Sequence, residues 1–532
     1  MWAKVLLLFF VFSFSFRSDH SFDQDLGRHI KLGEIITQTG SIPKINLFSY
    51  TNPDFPFINT HWLFEVIAYF FASTGTLHLL LALKIIILIT SVWLVIKDIK
   101  SPWLLPVGFI FLHVLRERAE LRPEIFSFLF TALTYYILTR NDKSIFFLPL
   151  IQLLWINTHI YFFIGLLLQA IFLIQNRLKI LGIILALSVL VSLINPNGLA
   201  GVLYPFNVTK NYGYTIVENQ TFIWLENINF RNPNFLFAKI SISIIVLSLL
   251  VTLFRRKFDI RNILLAFFGM VLALMNVRSF PYLVLLSLPA TLANFGKLKL
   301  GLLIPIAALL LVLESFFYLN GDYYKYREDG NTPGPKLVEN GKGALDFVLN
   351  NNLPGPIYNN FDIGSYIIYR DYPKYQVFVD GRPEAYPKEF FQDVYIPTQY
   401  DYSKFKELDK KWQFKTIIFS HTDQTPWGKN FLAAVVKDEG WKIVYIDDFM
   451  IILVKNDVAT EKNLTSVDLS ILNPKSYSFG NSTSYLRMAV FLHGTGNPQS
   501  GLSFVQQSLH IFPESPVANS IIGQKSQNNF FW

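Results

Sequence analysis

Residues 3–16 read AKVLLLFFVFSFSF, and residues 18–29 follow at once as SDHSFDQDLGRH. An apolar run meets three carboxylates and two imidazoles within eleven residues, which reads as a chain leaving a membrane at a chemically loaded boundary. The rest of the sequence agrees. Of 532 residues 52% are hydrophobic and only 16% charged, with a mean hydropathy of +0.35, where a soluble globular protein carries about 25% charge. The apolar runs crowd into the first 320 residues, so one membrane domain followed by a tail is expected. The formal charge of +8 comes from 46 Lys and Arg against 38 Asp and Glu. In a membrane protein this excess belongs to cytoplasmic loops, and no nucleic-acid partner is expected. The absence of cysteine excludes a disulfide framework, a thiolate metal site and a Cys nucleophile.

Eleven candidate spans, 3–16, 77–96, 102–115, 124–138, 144–157, 160–174, 180–194, 236–254, 262–277, 280–295 and 300–319, are apolar enough to cross or nearly cross a bilayer core. Lys4, Lys97, Lys100, Arg140, Lys143, Arg177, Lys179, Arg255, Arg256, Lys257, Arg261, Lys297 and Lys299 then fall in alternate loops. A basic side is a cytoplasmic side, so the expected protein is a multi-pass plasma-membrane protein with its N-terminus inside and its C-terminal domain outside. The N-terminal run also has the build of a secretory signal peptide, but no small-x-small cleavage site follows it. His61 to Phe71 is too short to span and carries Glu65, so it reads as a juxtamembrane helix. A second is predicted from His29 to Gln38, ended by Gly40 and Pro43.

Residues 1–320 are thus read as the membrane domain and 321–455 as an extracytoplasmic α/β domain, with strands predicted at 356–359, 376–379, 416–420, 442–446 and 450–454. Helices are predicted over 404–412 and 430–439. Residues 456–480 read as a linker. In the tail, 481–532, the spacing of Met488, Ala489, Leu492, Gly501, Val505, Ser508 and Pro513 is similar to one tetratricopeptide helix pair.

Several outer-face residues carry chemistry. Asp23 and Asp25, two apart in a loop, can converge on one hard cation or one acceptor hydroxyl, with His29 one helical turn on; the plainer reading is a solvated loop with Asp25 as a helix cap. Arg116, Arg118 and Arg122 share the second outer loop with Glu117, Glu120 and Glu124, a set suited either to a phosphate and its counter-groups or to a self-neutralising wet loop. Arg278 stands alone at an outer helix end, placed for phosphate binding or for snorkelling. Asn59-Thr60-His61 and Asn157-Thr158-His159 repeat a triplet on the same face, fitting a sugar-lined cavity or helix capping. Val379-Asp380-Gly381-Arg382 reads as a turn. No Walker A, G-x-G-x-x-G, H-E-x-x-H or G-x-S-x-G motif is present, which leaves nucleotide hydrolysis, dinucleotide binding, zincin and serine-hydrolase chemistry without support.

This order of parts resembles the GT-C superfamily of membrane glycosyltransferases. More narrowly, Asp23-x-Asp25-x-x-x-His29-x-x-x-Gly33, Gly40-x-Ile42-Pro43, Phe48-Ser49-Tyr50-Thr51 and His61-Trp62-Leu63-x-Glu65 are similar to a bacterial group related to dolichyl-phosphate-mannose:protein mannosyltransferases. Arg122-Pro123 and Asn157-x-His159 extend the likeness. Where that group has adjacent acids, Asp-Glu, this chain has Asp23-Gln24-Asp25.

The resemblance implies a hexosyltransferase that takes a sugar from a polyprenyl-phosphate carrier in the bilayer and delivers it to an extracytoplasmic protein, lipid or glycan. Asp23 or Asp25 would be the base. Arg116, Arg118, Arg122 and Arg278 would hold the donor phosphate, and His29, His61, Glu65, Asn157 and His159 would bind substrate. A divalent ion, magnesium or manganese, would be ligated by Asp23, Asp25 and Glu120. The alternatives from other classes are a lipid-linked glycan transporter or polymerase-like protein, and a non-catalytic assembly protein. Against a transporter stands the near absence of mid-span charge, with Lys84 as the exception.

Overall fold

The computed structural model describes residues 1–140, 142–207, 212–230, 232–256, 258–296 and 301–525. Lys257, Lys297, Lys299, Leu300 at the head of the last expected span, and residues 526–532 of the tail lie outside the described residues. Each apolar stretch is helical, because such a run offers its backbone no polar side chains and the N–H and C=O groups satisfy one another. In chain order the helices are α1 (Trp2–Ser15), α2 (Gly27–Thr39), α3 (Trp62–Ser73), α4 (Leu77–Ile96), α5 (Leu104–Arg116), α6 (Glu124–Arg140), α7 (Leu148–Ile156) and α8 (Phe163–Asn176). They continue as α9 (Lys179–Val191), α10 (Gly198–Asn207), α11 (Phe222–Asn227), α12 (Pro233–Phe254), α13 (Ile260–Met275), α14 (Phe280–Tyr282), α15 (Leu288–Phe295), α16 (Leu303–Leu319) and α17 (Asp322–Arg327).

Two of these, α4 with 20 residues and α12 with 22, are long and apolar enough to cross a membrane. Most of the other expected spans hold shorter apolar helices of 10–17 residues, and the stretch 280–295 is broken by a π-helical segment at Leu283–Ser287. Apolar side chains stay uncovered on α9 (Ile183, Leu187, Leu190) and α16 (Ile306, Leu309, Leu313). The basic loops meet at one end of the bundle. Lys4 donates to the Lys97 carbonyl, Lys97 lies 3.7 Å over the Tyr136 ring, Ser101 bonds the Gly296 carbonyl, and Arg255 bonds that of Phe295. At the other end the Lys84 ammonium reaches Asp19 at 2.9 Å, both buried, and Asp19 also accepts the Leu121 N–H. Glu314 in α16, paired with His113, is a second helix-borne charge that the sequence reading passed over.

The chain after α1 pairs with the segment leading out of α17: Ser18 N–H donates to Thr332 and Asp19 N–H to Lys336, both at 2.8 Å. Beyond it come α18 (Lys342–Asn350), β1 (Ile357–Asn359), α19 (Gly364–Asp371), α20 (Ile396–Tyr400), α21 (Tyr402–Trp412), β2 (Thr416–Ser420), α22 (Pro426–Val435), β3 (Trp441–Ile446) and β4 (Met450–Lys455). The sheet order is β1-β2-β4-β3, with β1 parallel to β2 and the other pairs antiparallel. The strand expected at 376–379 is not in this sheet. Val377 bonds Phe48 and Tyr50 instead, so that segment ties the tail to the first outer loop. The helix expected at 430–439 runs earlier, from Pro426, because Thr425 caps it and proline suits its first turn.

The expected linker opens with α23 (Asn456–Glu461) and then lies against the sheet, Val467 N–H bonding Ile443 at 2.8 Å. Helices α24 (Ser482–Gly494) and α25 (Pro498–Ile511) form the expected pair, closed by a third, α26 (Pro516–Lys525).

The two short helices expected at 29–38 and 61–71 are α2 and α3, with each end within two residues of the expectation. Helix α2 ends at Gly40, whose φ of +65° is the left-handed cap that glycine adopts without strain. It packs on α3 through Gly33, where a side chain would run into the Glu65 carbonyl and Tyr69. Gly33→Val is therefore expected to destabilise the protein in detergent by about 1 to 3 kcal/mol. Gly480→Ala, with open space around it, should leave the melting temperature unchanged; equal melting of the two variants would show that α2 and α3 are not held by this contact.

Candidate functional site

The chain between α1 and α2 forms a π-helical turn, Phe22–Leu26. Residues two apart on a helical turn face nearly opposite ways, so Asp23 and Asp25 diverge rather than converge. Asp23 is buried, accepting from the Asn340 N–H at 3.0 Å and Asn340 Nδ2 at 2.8 Å. Burial pushes its pKa up to about 6 against those bonds. Asp25 points the other way, to Arg28 at 2.9 Å and Arg122 at 3.2 Å. Burial alone would raise its pKa, but the two guanidiniums outweigh that and hold it below the usual carboxylate range.

Around Asp25 lies a cluster organised by a residue that the sequence reading missed, Glu218, in the short turn Val217–Asn219 between α10 and α11. Its carboxylate meets Arg118 at 2.6 Å, Arg122 at 2.8 Å and Arg278 at 3.0 Å. Three positive charges hold it ionised far below the ordinary glutamate pKa despite burial. Arg118 also bonds Glu124 at 2.7 Å, and Arg122 reaches Gln24 at 3.1 Å and Glu120 at 3.4 Å. Shared carboxylates leave donors over. Arg28 Nε, Arg118 Nη2, Arg122 Nε and Arg278 Nε are buried without a hydrogen-bond partner among the described residues. Such groups each cost about 1 to 3 kcal/mol, a cost that an anion placed there would relieve.

Arg116 does not belong to this cluster. It bonds Tyr318 and Asn234 and lies 4.8 Å over the Tyr323 ring, because it ends α5 while Arg118 and Arg122 follow in the loop. The three expected metal ligands are each engaged by other groups: Asp23 by Asn340, Asp25 by Arg28 and Arg122, and Glu120 by Arg122 and Arg17. No group of three or more His, Asp or Glu residues fit to hold a metal occurs among the described residues.

The five expected substrate residues do come together, beside the cluster. His29 on α2 meets Glu65 on α3 at 3.1 Å, and Asn59 donates to the other carboxylate oxygen at 2.6 Å. The His61 ring lies 5.6 Å from that of His29 and 5.4 Å from that of His159. His159 bonds Ser127 at 2.7 Å. Asn157 accepts from Trp62 Nε1 at 2.8 Å. Burial, then the charges of Arg28 and Arg278, take the His61 pKa down to about 3, so the ring is neutral at physiological pH. Trp62 and Asn157 border an apolar cleft of about 500 Å³ with Leu63, Leu153, Leu154 and Ile194.

The tail closes the site from above. The Arg382 guanidinium pairs with Asp380 at 2.7 Å, bonds Asn46 at 2.8 Å and sits within about 5 Å of the Phe48 and Phe57 rings. The Val379–Arg382 segment, expected as a turn, holds a bend at Gly381 and clamps the chain between α2 and α3. Gly381 touches the turn after α1 so closely that a Cβ would lie 3.1 Å from the Gln24 carbonyl. The bend brings Glu384 within electrostatic reach of Arg28, and Asp362, just before α19, within reach of Asp25. Arg28, Glu218, Asp362 and Glu384 were not singled out from the sequence. The one available signal was charge balance, since buried outer arginines require counter-ions and Glu218 is the one acid of the 212–220 loop.

No protein-family model matches the chain, and no curated protein matches it significantly.

Burial takes Glu65 up to about 7, from 4.5 in an unfolded chain. A carboxyl whose pKa is raised on folding binds its proton more tightly when folded, so the native state loses stability as pH rises from about 4.5 through 7. The loss is on the order of 3 kcal/mol. Glu65→Gln, neutral at every pH, is therefore expected to match the wild type near pH 4 and to melt higher at pH 8. A constant difference in melting temperature across that range would show that Glu65 does not titrate in this window.

Proposed function

We propose that the chain is a polytopic plasma-membrane glycosyltransferase, its N-terminus cytoplasmic and its site extracytoplasmic, which moves one sugar from a polyprenyl-phosphate donor to an acceptor hydroxyl. The observation that carries this reading is the cluster itself: four guanidiniums with unpartnered buried N–H groups stand around two ionised carboxylates, Asp25 and Glu218. That is the equipment for a phosphate leaving group beside a base. The basic loops gathered at the opposite end of the bundle support the orientation, and the uncovered apolar faces of α9 and α16 support a lipid surround.

Asp25, rather than Asp23, takes the acceptor proton as the acceptor oxygen bonds the anomeric carbon. The bond from that carbon to the phosphate oxygen breaks, its electron pair leaves with the phosphate, and Arg28, Arg118, Arg122 and Arg278 stabilise the added charge. His29, His61 and His159, neutral and close-packed, offer hydrogen bonds to sugar hydroxyls without competing for the phosphate. The apolar cleft at Trp62 and Leu154 takes the first isoprene units.

Two measurements test this. With a panel of polyprenyl-phosphate hexoses, Asp25→Asn is expected to lower transfer about 10²-fold or more, while Asp23→Asn retains most of it; the reverse order would sink the assignment of the base. Reporters fused after Lys143 and Arg256 should read as cytoplasmic and one after Gly330 as external. An internal reading at Gly330 would remove the site from the compartment that the reaction needs.

A further inference from the structure

A second polar cavity, of about 290 Å³, lies at the outer ends of α1, α5, α12 and α16 and is separate from the Asp25 cluster. Its charged wall residues are three guanidiniums, Arg17, Arg116 and Arg327, and three carboxylates, Glu117, Glu120 and Asp329. The formal balance is zero. Between the charges stand the amides of Asn232, Asn234 and Asn331 and the rings of Tyr318, Tyr323 and Tyr324. Tyr318 and Tyr323 are packed together with ring centroids 4.4 Å apart.

Two polar atoms here lack a partner among the described residues: the hydroxyl of Tyr324, a residue only 3% exposed, and Nε2 of His20. A buried hydroxyl is retained at a cost of about 1 to 3 kcal/mol unless something bonds it. A neighbouring polar trough of about 420 Å³ shares Asn232 and Arg327 with it. On its inner side Glu120 forms the shared wall, reaching Arg17 at 4.0 Å and Arg122 of the Asp25 cluster at 3.4 Å.

We infer that this cavity and trough bind neutral sugar units of a glycan. The amides, the paired acids and the unpartnered Tyr324 hydroxyl take the hydroxyls of a pyranose, which offers donors and acceptors in the same mixture. Two adjoining polar cavities, sharing Asn232 and Arg327, fit a chain of sugars better than a single headgroup. As the acceptor site of the transferase the assignment rests on the reading above, and it makes that acceptor itself a glycan; as a binding site it does not depend on transfer. Glu120 would then stand between the terminal acceptor sugar and Arg122.

The test uses the full chain in detergent with gluco-, manno- and N-acetylglucosamine trisaccharides as probes, read by saturation-transfer NMR and titration, with phosphocholine and inorganic phosphate alongside. At least one trisaccharide is expected to bind. Tyr324→Phe, which deletes one oxygen, should weaken it about tenfold, and Asn234→Ala should weaken it without changing the melting profile of the tail. Binding by none of the three, binding unaffected by Tyr324→Phe, or saturable binding of phosphocholine or phosphate in place of sugar would each overturn the inference. Loss of transfer in Asp25→Asn with trisaccharide binding absent rejects the glycan site alone, whereas binding without any transfer activity rejects the transferase reading alone.

Discussion

One carboxylate, that of Glu218, holds the Asp25 end of the helical bundle together. It accepts from Arg118 and Arg122 of one loop and from Arg278 of another, and through Arg122 it reaches Asp25 and Gln24 of the turn after α1. Four chain segments with no shared secondary structure are thereby fixed relative to one another. A buried ion cluster of this kind adds little net stability over apolar packing, since the desolvation of each charge offsets its attraction. What it supplies is position. Remove the shared charge and three guanidiniums are left without compensation in one place.

The same arithmetic that makes the cluster geometrically definite makes it chemically unfinished. Guanidinium groups carry five donors each, and the surrounding carboxylates and amides cannot occupy all of them. Four buried N–H groups remain, beside a carboxylate, Asp25, whose proton affinity Arg122 and Arg28 have suppressed. Asp23, two residues away and buried without a cationic partner, is pushed in the opposite direction. Adjacent carboxyls driven apart by their surroundings is the usual basis for dividing roles between them.

The tail is structurally part of this arrangement. Val377 bonds the first outer loop, Arg382 is clamped between Phe48, Phe57 and Asn46, and Gly381 lies on Gln24. One apolar core runs from Leu7 and Phe14 in α1 through Phe22 and Phe48 to Ile418 and Val454 of the sheet. The chain after α17 therefore forms the roof of the site, and it brings Asp362 and Glu384 into the electrostatic surroundings of Asp25 and Arg28.

Local patterns determined a good deal. The apolar runs named the helices, Gly40 and Pro43 ended α2, and four of the five expected strands lie in the sheet. Charge and histidine spacing picked out Asp25, Arg118, Arg122, Arg278, His29, His61, Glu65 and His159, which do assemble, because short-range chemistry places polar groups where a chain leaves an apolar run. What tertiary structure alone decided is which polar groups meet. An Asp-x-Asp pair converges in an extended loop and diverges on a helical turn, and the turn is set by packing of Phe22 and Leu26, not by the acids. Arg116 is two residues from Arg118, yet the end of α5 commits it to Tyr318 and Asn234. Glu218, 96 residues beyond Arg122, has no local mark at all, since a counter-ion is chosen by distance in space, and sequence separation carries no information about that distance.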